Sequence, residues 1–333
     1  MITGVGFFQL IDGVVNHKIL GIHQIRYGVD LLVYDVVWIG SAILLMIIGA
    51  IVLWYTRPAR TPAPRDMTHA HVGHHDPGWA VLEYLAAAVV VVLALGYAAG
   101  LWATRSRSRW PMHRPILWFV GLACLGDSLI GPVADAAHAS FTGHMVGHLL
   151  PGMLAPLLMV LAAPITLLLR ALPVTGARQV SRVLRSGPVR VIGHPVTAAV
   201  LNAGGLWLLY ATDLFHLMHA SPAIYGLIHA HIFLAGYVFT AAIIGVDPNP
   251  HRASMRTRSV VLIVFIAAHQ ILAKWLYAYP PAGVDAADGR IGAQVMFYGG
   301  DVVDVTIIVL LFIGWYRATG ARGVRARAVT AAS

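Results

Sequence analysis

Residues His144, Met145 and His148 open an apolar run, GHMVGHLLPGMLAPLLMVLAAPITLLLR over 143–170. Two imidazoles at i and i+4 project from one face of a helix, one turn apart, with a thioether beside them. Neutral imidazole suits copper and zinc, and thioether sulfur favours Cu(I). The run is long enough to cross a hydrocarbon layer about 30 Å thick, which takes roughly 20 helical residues. Polar groups at that depth are costly and face a cavity, a partner or a metal. The spacing therefore predicts a buried site on a spanning helix, and the donor types point to copper.

The rest of the chain supplies the membrane. Of 333 residues 58% are apolar and only 11% charged, too few charges for a soluble surface. The net charge of +9 would suggest nucleic acid in a soluble protein. Here the arginines sit in short connections between apolar spans, the pattern of cytoplasmic flanks, so a nucleic-acid role is excluded. One cysteine, Cys124, rules out an internal disulfide and any CxxC site. No basic n-region with a cleavage site opens the chain, so no cleaved signal is expected.

Spans are predicted near 33–55, 79–102, 115–137, 143–169, 191–212, 222–246, 258–279 and 294–316, with a marginal segment near 4–22 that Asp12, His17 and Lys18 interrupt. The fold class is an all-α polytopic membrane protein: a seven-helix core over 79–316 plus one or two N-terminal spans. Connections 103–114, 170–190 and 247–258 and the tail from 317 carry 16 of the 21 arginines, whereas 138–143, 213–221 and 280–293 carry one, Arg290. This asymmetry places the C-terminus in the cytoplasm. Loop 56–78 breaks the rule with Arg57, Arg60 and Arg65 on the outer side. Its RPARTPAPRDMTHAHVGHHDPG reads as a His/Pro-rich extracytoplasmic linker. The expected organisation is an N-terminal membrane segment (1–55), that linker (56–78), a seven-helix domain (79–317) and a basic cytoplasmic tail (318–333).

On this topology the histidines gather on the outer side. His138, His144 and His148 flank one helix start, and His216 and His219 lie in the next outer connection. His229 and His231 follow on one helix, roughly 200° apart, so only one of the two can face a shared site. His269 lies in the outer half of its helix. Asp301 and Asp304 in the last helix could orient imidazole N–H groups. Taken singly, each histidine is equally a residue that hydrogen-bonds a carbonyl, and Met145 and Met153 read as packing residues ahead of ligands. Pro151, Pro156 and Pro164 predict kinks that open the helix end.

The 143–169 run resembles the signature helix of the CtaG-like cytochrome c oxidase assembly factors, with their His-Met-x-x-His-x-Leu opening. HAHIFLAGYVFTAAIIGVDPNPHR (229–252), the His269-Gln270 pair and YGGDVVDVTIIVLLFIGWYR (298–317) resemble the same family, in the same order. Gly147 stands where relatives often carry Gln. The resemblance implies a factor for assembling haem–copper oxidases that delivers or inserts copper, with a haem–copper oxidase subunit as partner in a bacterial plasma membrane. Carried over by position, the implied metal residues are His144, Met145, His148, His229, His231, His269 and Asp301. Separately, GVGFFQLIDGVVNHKILGIHQIRYGVDLLVYD (4–35), with Asp12, Gly13, His17 and His23, resembles a small membrane-protein family of unknown function, so the chain reads as a fusion.

The leading expectation is an assembly factor that holds Cu(I) at its outer face and performs no catalysis. A haem-binding electron-transfer protein, ligated for example by His148 with His229 or His269, is the alternative reading. A copper transporter is another, although few polar residues besides Asp127 continue a path inward. No phosphate loop, His-Glu-x-x-His or nucleophile triad supports an enzyme.

Overall fold

The computed structural model describes residues 77–106 and 109–332, with side chains through Thr319. The expected N-terminal spans and the linker with its 69–76 histidine tract lie outside the described residues, as do the side chains of the basic tail beyond Thr319. Among the described residues every regular element is helical.

Among the described residues five stretches are each long and apolar enough to cross a bilayer, and two bent helix pairs complete a set of up to seven passes. The first is α1, Pro77–Thr104, which leaves Val89, Val92 and Leu95 exposed. Only 17% of its most apolar window is buried, against 67% for Phe141–Leu161. Among the described helices the histidine-bearing span is therefore central and α1 peripheral. Next comes α2, His113–Ile130, and α3, Pro132–Ala139, bent by 42° at Gly131, whose backbone is extended. Pro132 lacks the N–H that would continue the first helix and instead opens the second.

The central span is composite. It runs as α4, Phe141–Leu149, a π turn over Leu150–Leu154, and α5, Ala155–Leu161. Pro151 and Pro156 deprive the Gly147 and Gly152 carbonyls of their i+4 donors, and the wider π hydrogen bonding accommodates the loss, with Ala155 N–H bonded to the Leu150 carbonyl. A Cβ at Gly236 of a neighbouring helix would collide with the Gly152 carbonyl, so bare backbone meets backbone there.

The single span expected over 143–169 is corrected: it ends at Leu161. Pro164 disfavours helical backbone before it, and Ala163 turns the chain in the left-handed region at φ 53. After it α6, Pro164–Ala171, begins, and Asp247 caps it by accepting from the Ile165 N–H (3.1 Å), the Thr166 N–H (2.8 Å) and the Thr166 hydroxyl (2.6 Å). The basic connection read as a loop over 170–190 contains α7, Val174–Leu184, and α8, Gly187–Ile192.

Helix α9, Pro195–Ala211, turns by 82° into α10, Leu214–Ala220, so the connection containing His216 and His219 is helical. Helix α11, Pro222–Ile244, ends at Gly245, whose φ of 61 suits glycine. Arg258 and Arg252 donate to the Ile243 (2.8 Å) and Ile244 (3.1 Å) carbonyls, placing positive charge at the negative pole of that helix. Then follow α12, Met255–Ala278, and α13, Ala286–Ala332. Successive passes alternate direction and give the bundle an arginine end and a histidine end.

Candidate metal centre

Three connections converge at the histidine end: α3 into α4, α10 into α11, and the start of α13. The first is pinned across the fold. Asp288 of α13 accepts from the Phe141 N–H (2.6 Å), the Thr142 N–H (3.1 Å) and the Thr142 hydroxyl (2.5 Å), while the Ser140 hydroxyl accepts from the Gly143 N–H. These bonds satisfy donors that a helix start leaves free. Glycines let α13 approach closely: a Cβ at Gly292 would meet the Phe141 ring, and one at Gly299 the Leu149 side chain. Helix α4 thus enters with a fixed position, and His144 and His148 point into the bundle, both buried.

An aromatic frame holds the outermost histidines. His138 stacks on Tyr225 with ring centroids 5.2 Å apart and stands edge-on to Trp79. His144 lies 5.5 Å from His219 and 5.1 Å from Phe215, centroid to centroid. Its Nε2 is hydrogen-bonded to the Tyr210 hydroxyl at 3.0 Å, and that hydroxyl also lies 3.8 Å from the Met145 Sδ. His229 stacks on Tyr225 at 4.0 Å.

Two of these rings have a defined tautomer. His219 Nδ1 lies 2.8 Å from the Phe215 carbonyl, and His229 Nδ1 lies 2.9 Å from the Tyr225 carbonyl. A carbonyl only accepts, so each neutral ring donates from Nδ1 and keeps its lone pair on Nε2. That is the disposition of many metal-binding histidines, held by a backbone carbonyl on one nitrogen with the other free to ligate.

Of the seven predicted residues, His144, Met145, His148, His229 and His269 are buried in the bundle. The other two lie elsewhere. His231 is exposed and bonds the Leu201 carbonyl through Nε2 at 3.0 Å, seated against Gly205. Asp301 is half-buried and accepts a hydrogen bond from the Gln270 side-chain amide. Met153 packs in an apolar cluster with Leu157 and Phe239. His216 is exposed.

Sequence reasoning missed the frame of Tyr210, Tyr225, Phe215 and Trp79, and gave no priority to His219. The signal for His219 was its spacing from Phe215, i to i+4, which matters only once 214–220 is known to be helical. Among the described residues no three His, Cys, Asp or Glu side chains converge closely enough to enclose a metal as they stand. The donor set nevertheless fits Cu(I) in kind: neutral imidazoles with free lone pairs, one thioether and no cluster of carboxylates.

Comparison with known proteins bears on the same segment. A predicted membrane protein family known as DUF2243 matches residues 1–56. An uncharacterized protein of Mycobacterium bovis is 36% identical over 236 residues, covering 62% of this chain and 35% of its own length. A Mycobacterium tuberculosis protein matches to the same extent, and one from Mycobacterium leprae is 30% identical over 264 residues, covering 71% of this chain and 39% of its own length. The chain thus spans little more than a third of the curated relatives it matches. No solved structure is detectably similar. The cytochrome c oxidase caa3 assembly factor family matches residues 95–318, from α1 through the spanning part of α13, and the chain belongs to that family.

Proposed function

We propose that this chain is an assembly factor for a haem–copper oxidase of a bacterial plasma membrane, which holds Cu(I) at its histidine end and passes it to an oxidase subunit. The histidine end faces outward in this reading, and the arginine end and the C-terminus face the cytoplasm, as the distribution of arginine favours. Family membership supports the assembly role. The copper part rests on one observation: His219 and His229 each tie Nδ1 to a carbonyl one turn back and leave Nε2 free, with the His219 ring 5.5 Å from that of His144.

The role requires no covalent chemistry. A delivery site needs few ligands, so that a partner can exchange them one at a time, and Cu(I) tolerates low coordination by imidazole and thioether. His144, Met145, His219 and His229 would hold the ion. Tyr210 positions His144, and the aromatic frame excludes water. The test is genetic. Cells lacking the chain should build oxidase deficient in copper, the wild-type gene should restore it, and a His144→Ala/His229→Ala gene should not. Normal oxidase copper in the double variant, expressed at wild-type level, would contradict the reading.

A further inference from the structure

The connection from the central span to α9 carries five arginines, Arg170, Arg178, Arg182, Arg185 and Arg190, and no acidic residue lies anywhere from 136 to 212. The other connections at the arginine end, 103–114 and 245–258, add one carboxylate, Asp247, whose oxygens are taken up by the start of α6. The positive charge of this connection is therefore not balanced from within it.

Helix α7 sorts that charge onto one face. Arg178 and Arg182 stand one turn apart, Arg185 ends the helix, and all three are exposed. Val180, Val183 and Leu184 fall on the opposite side, and Val183 is 61% exposed. In α8, Val191 and Ile192 are exposed as well. No residue of either helix is buried. An uncovered apolar face backed by a basic one is the pattern of a helix lying in a membrane interface, not of one packed on a protein core.

What covers that face follows from where the segment is held. The central span ends at Leu161 and α9 begins at Pro195, so both ends of the α6–α8 segment are tied to helices of the membrane bundle. Trp110 marks the headgroup level, where indoles concentrate. Arg114 of α2 and Arg170 of α6 both lie over its ring, at 4.7 and 5.4 Å from the centroid. The Arg114 Nε is enclosed and forms no hydrogen bond. Two guanidinium groups gathered on one indole present N–H forks that match a phosphate.

We propose that α7 and α8 lie in the headgroup layer at the arginine end, apolar side among the acyl chains, and that their arginines, with Arg114 and Arg170, bind anionic phospholipid. Each arginine at an anionic surface favours binding by about fivefold. A zwitterionic headgroup brings its own cation and forfeits that gain. The assignment is independent of copper at the histidine end.

Two measurements on the full chain test it. In lipid nanodiscs, a nitroxide is attached at Val183→Cys or at Arg178→Cys, each with Cys124→Ser, and its collisions with oxygen and with a water-soluble nickel chelate are compared. The label at 183 should favour oxygen, which concentrates among acyl chains, and the label at 178 should favour nickel. Both labels favouring nickel would put the helix in water, and a label at 183 shielded from both reagents would mean that protein covers the face; either result overturns the proposal. Second, native mass spectrometry counts the lipids retained by the detergent-purified chain from an equimolar mixture of phosphatidylglycerol and phosphatidylcholine. Wild type should prefer phosphatidylglycerol, and Arg178→Gln/Arg182→Gln/Arg185→Gln, which alters exposed side chains only, should lose about tenfold of that preference. An equal preference in the two proteins, or release of the lipid by inorganic phosphate alone, overturns the lipid assignment.

Discussion

Asp288 caps the helix that carries His144 by binding both the backbone and the side chain of Thr142, 146 residues away in the chain. Asp247 makes the same arrangement with Thr166 at the start of α6, at the opposite end of the bundle. One carboxylate thus orders the histidine end and the other the arginine end. Only the first has a histidine site next to it.

Paired substitution separates stability from site geometry. Asp288→Ala and Asp247→Ala should each lower stability by about 1–3 kcal/mol, since each leaves partly buried donors without an acceptor. Thermal unfolding in detergent measures this. Only Asp288→Ala should also weaken Cu(I) retention, because only that change frees the start of α4. Equal loss of copper in both variants would show that the clamp acts through general destabilisation.

His229 and His231 should differ sharply. His229 is buried with Nε2 free, and His231 is exposed with its ring on the Leu201 carbonyl. His229→Ala should reduce bound copper, and His231→Ala should leave it at the wild-type level. Copper quantitation after gel filtration distinguishes them, and the reverse pattern would overturn the assignment.

Gly236→Ala should be among the most damaging single changes in the core. The added methyl would press on the Gly152 carbonyl, which is backbone and cannot swing aside. A cost of about 3 kcal/mol or more is expected from overpacking, read as loss of folded protein on expression. Gly204→Ala, whose Cβ meets nothing closer than a Val200 methyl at 4.0 Å, should be tolerated.

Sidedness can be read by labelling. With Cys124 replaced by serine, single cysteines at Arg182 of α7 and His216 of α10 lie at opposite ends of the bundle. An impermeant maleimide added to intact cells should modify the cysteine at 216 and spare the one at 182. Labelling at 182 alone would invert the topology.

Among the described residues the positions of the passes were legible in the sequence, because apolar runs of bilayer length separated by arginine-rich connections admit little else. The breaks were not. Pro151, Pro156 and Pro164 all announce irregular backbone, yet Pro151 sits in a π turn, Pro156 in the first turn of α5 just after it, and Pro164 follows the end of the span at Leu161. Which outcome follows depends on what meets the freed carbonyls, such as Gly236, and this is a tertiary fact. His144 and His148 were legible from their helical spacing. The choice between His229 and His231 required knowing which face of α11 turns inward. Tyr210 and Tyr225 carried no local signal, since an aromatic residue in an apolar run looks like packing until a histidine is found against it.

The most direct test loads the purified full chain with Cu(I) without oxygen and counts bound copper in wild type and in His144→Ala/His229→Ala. Copper retained through gel filtration by wild type and diminished in the variant, with no haem absorption band in either, is the predicted result. Equal copper in both, or a haem band that depends on these histidines, would contradict a copper-holding site at the mouth of this bundle.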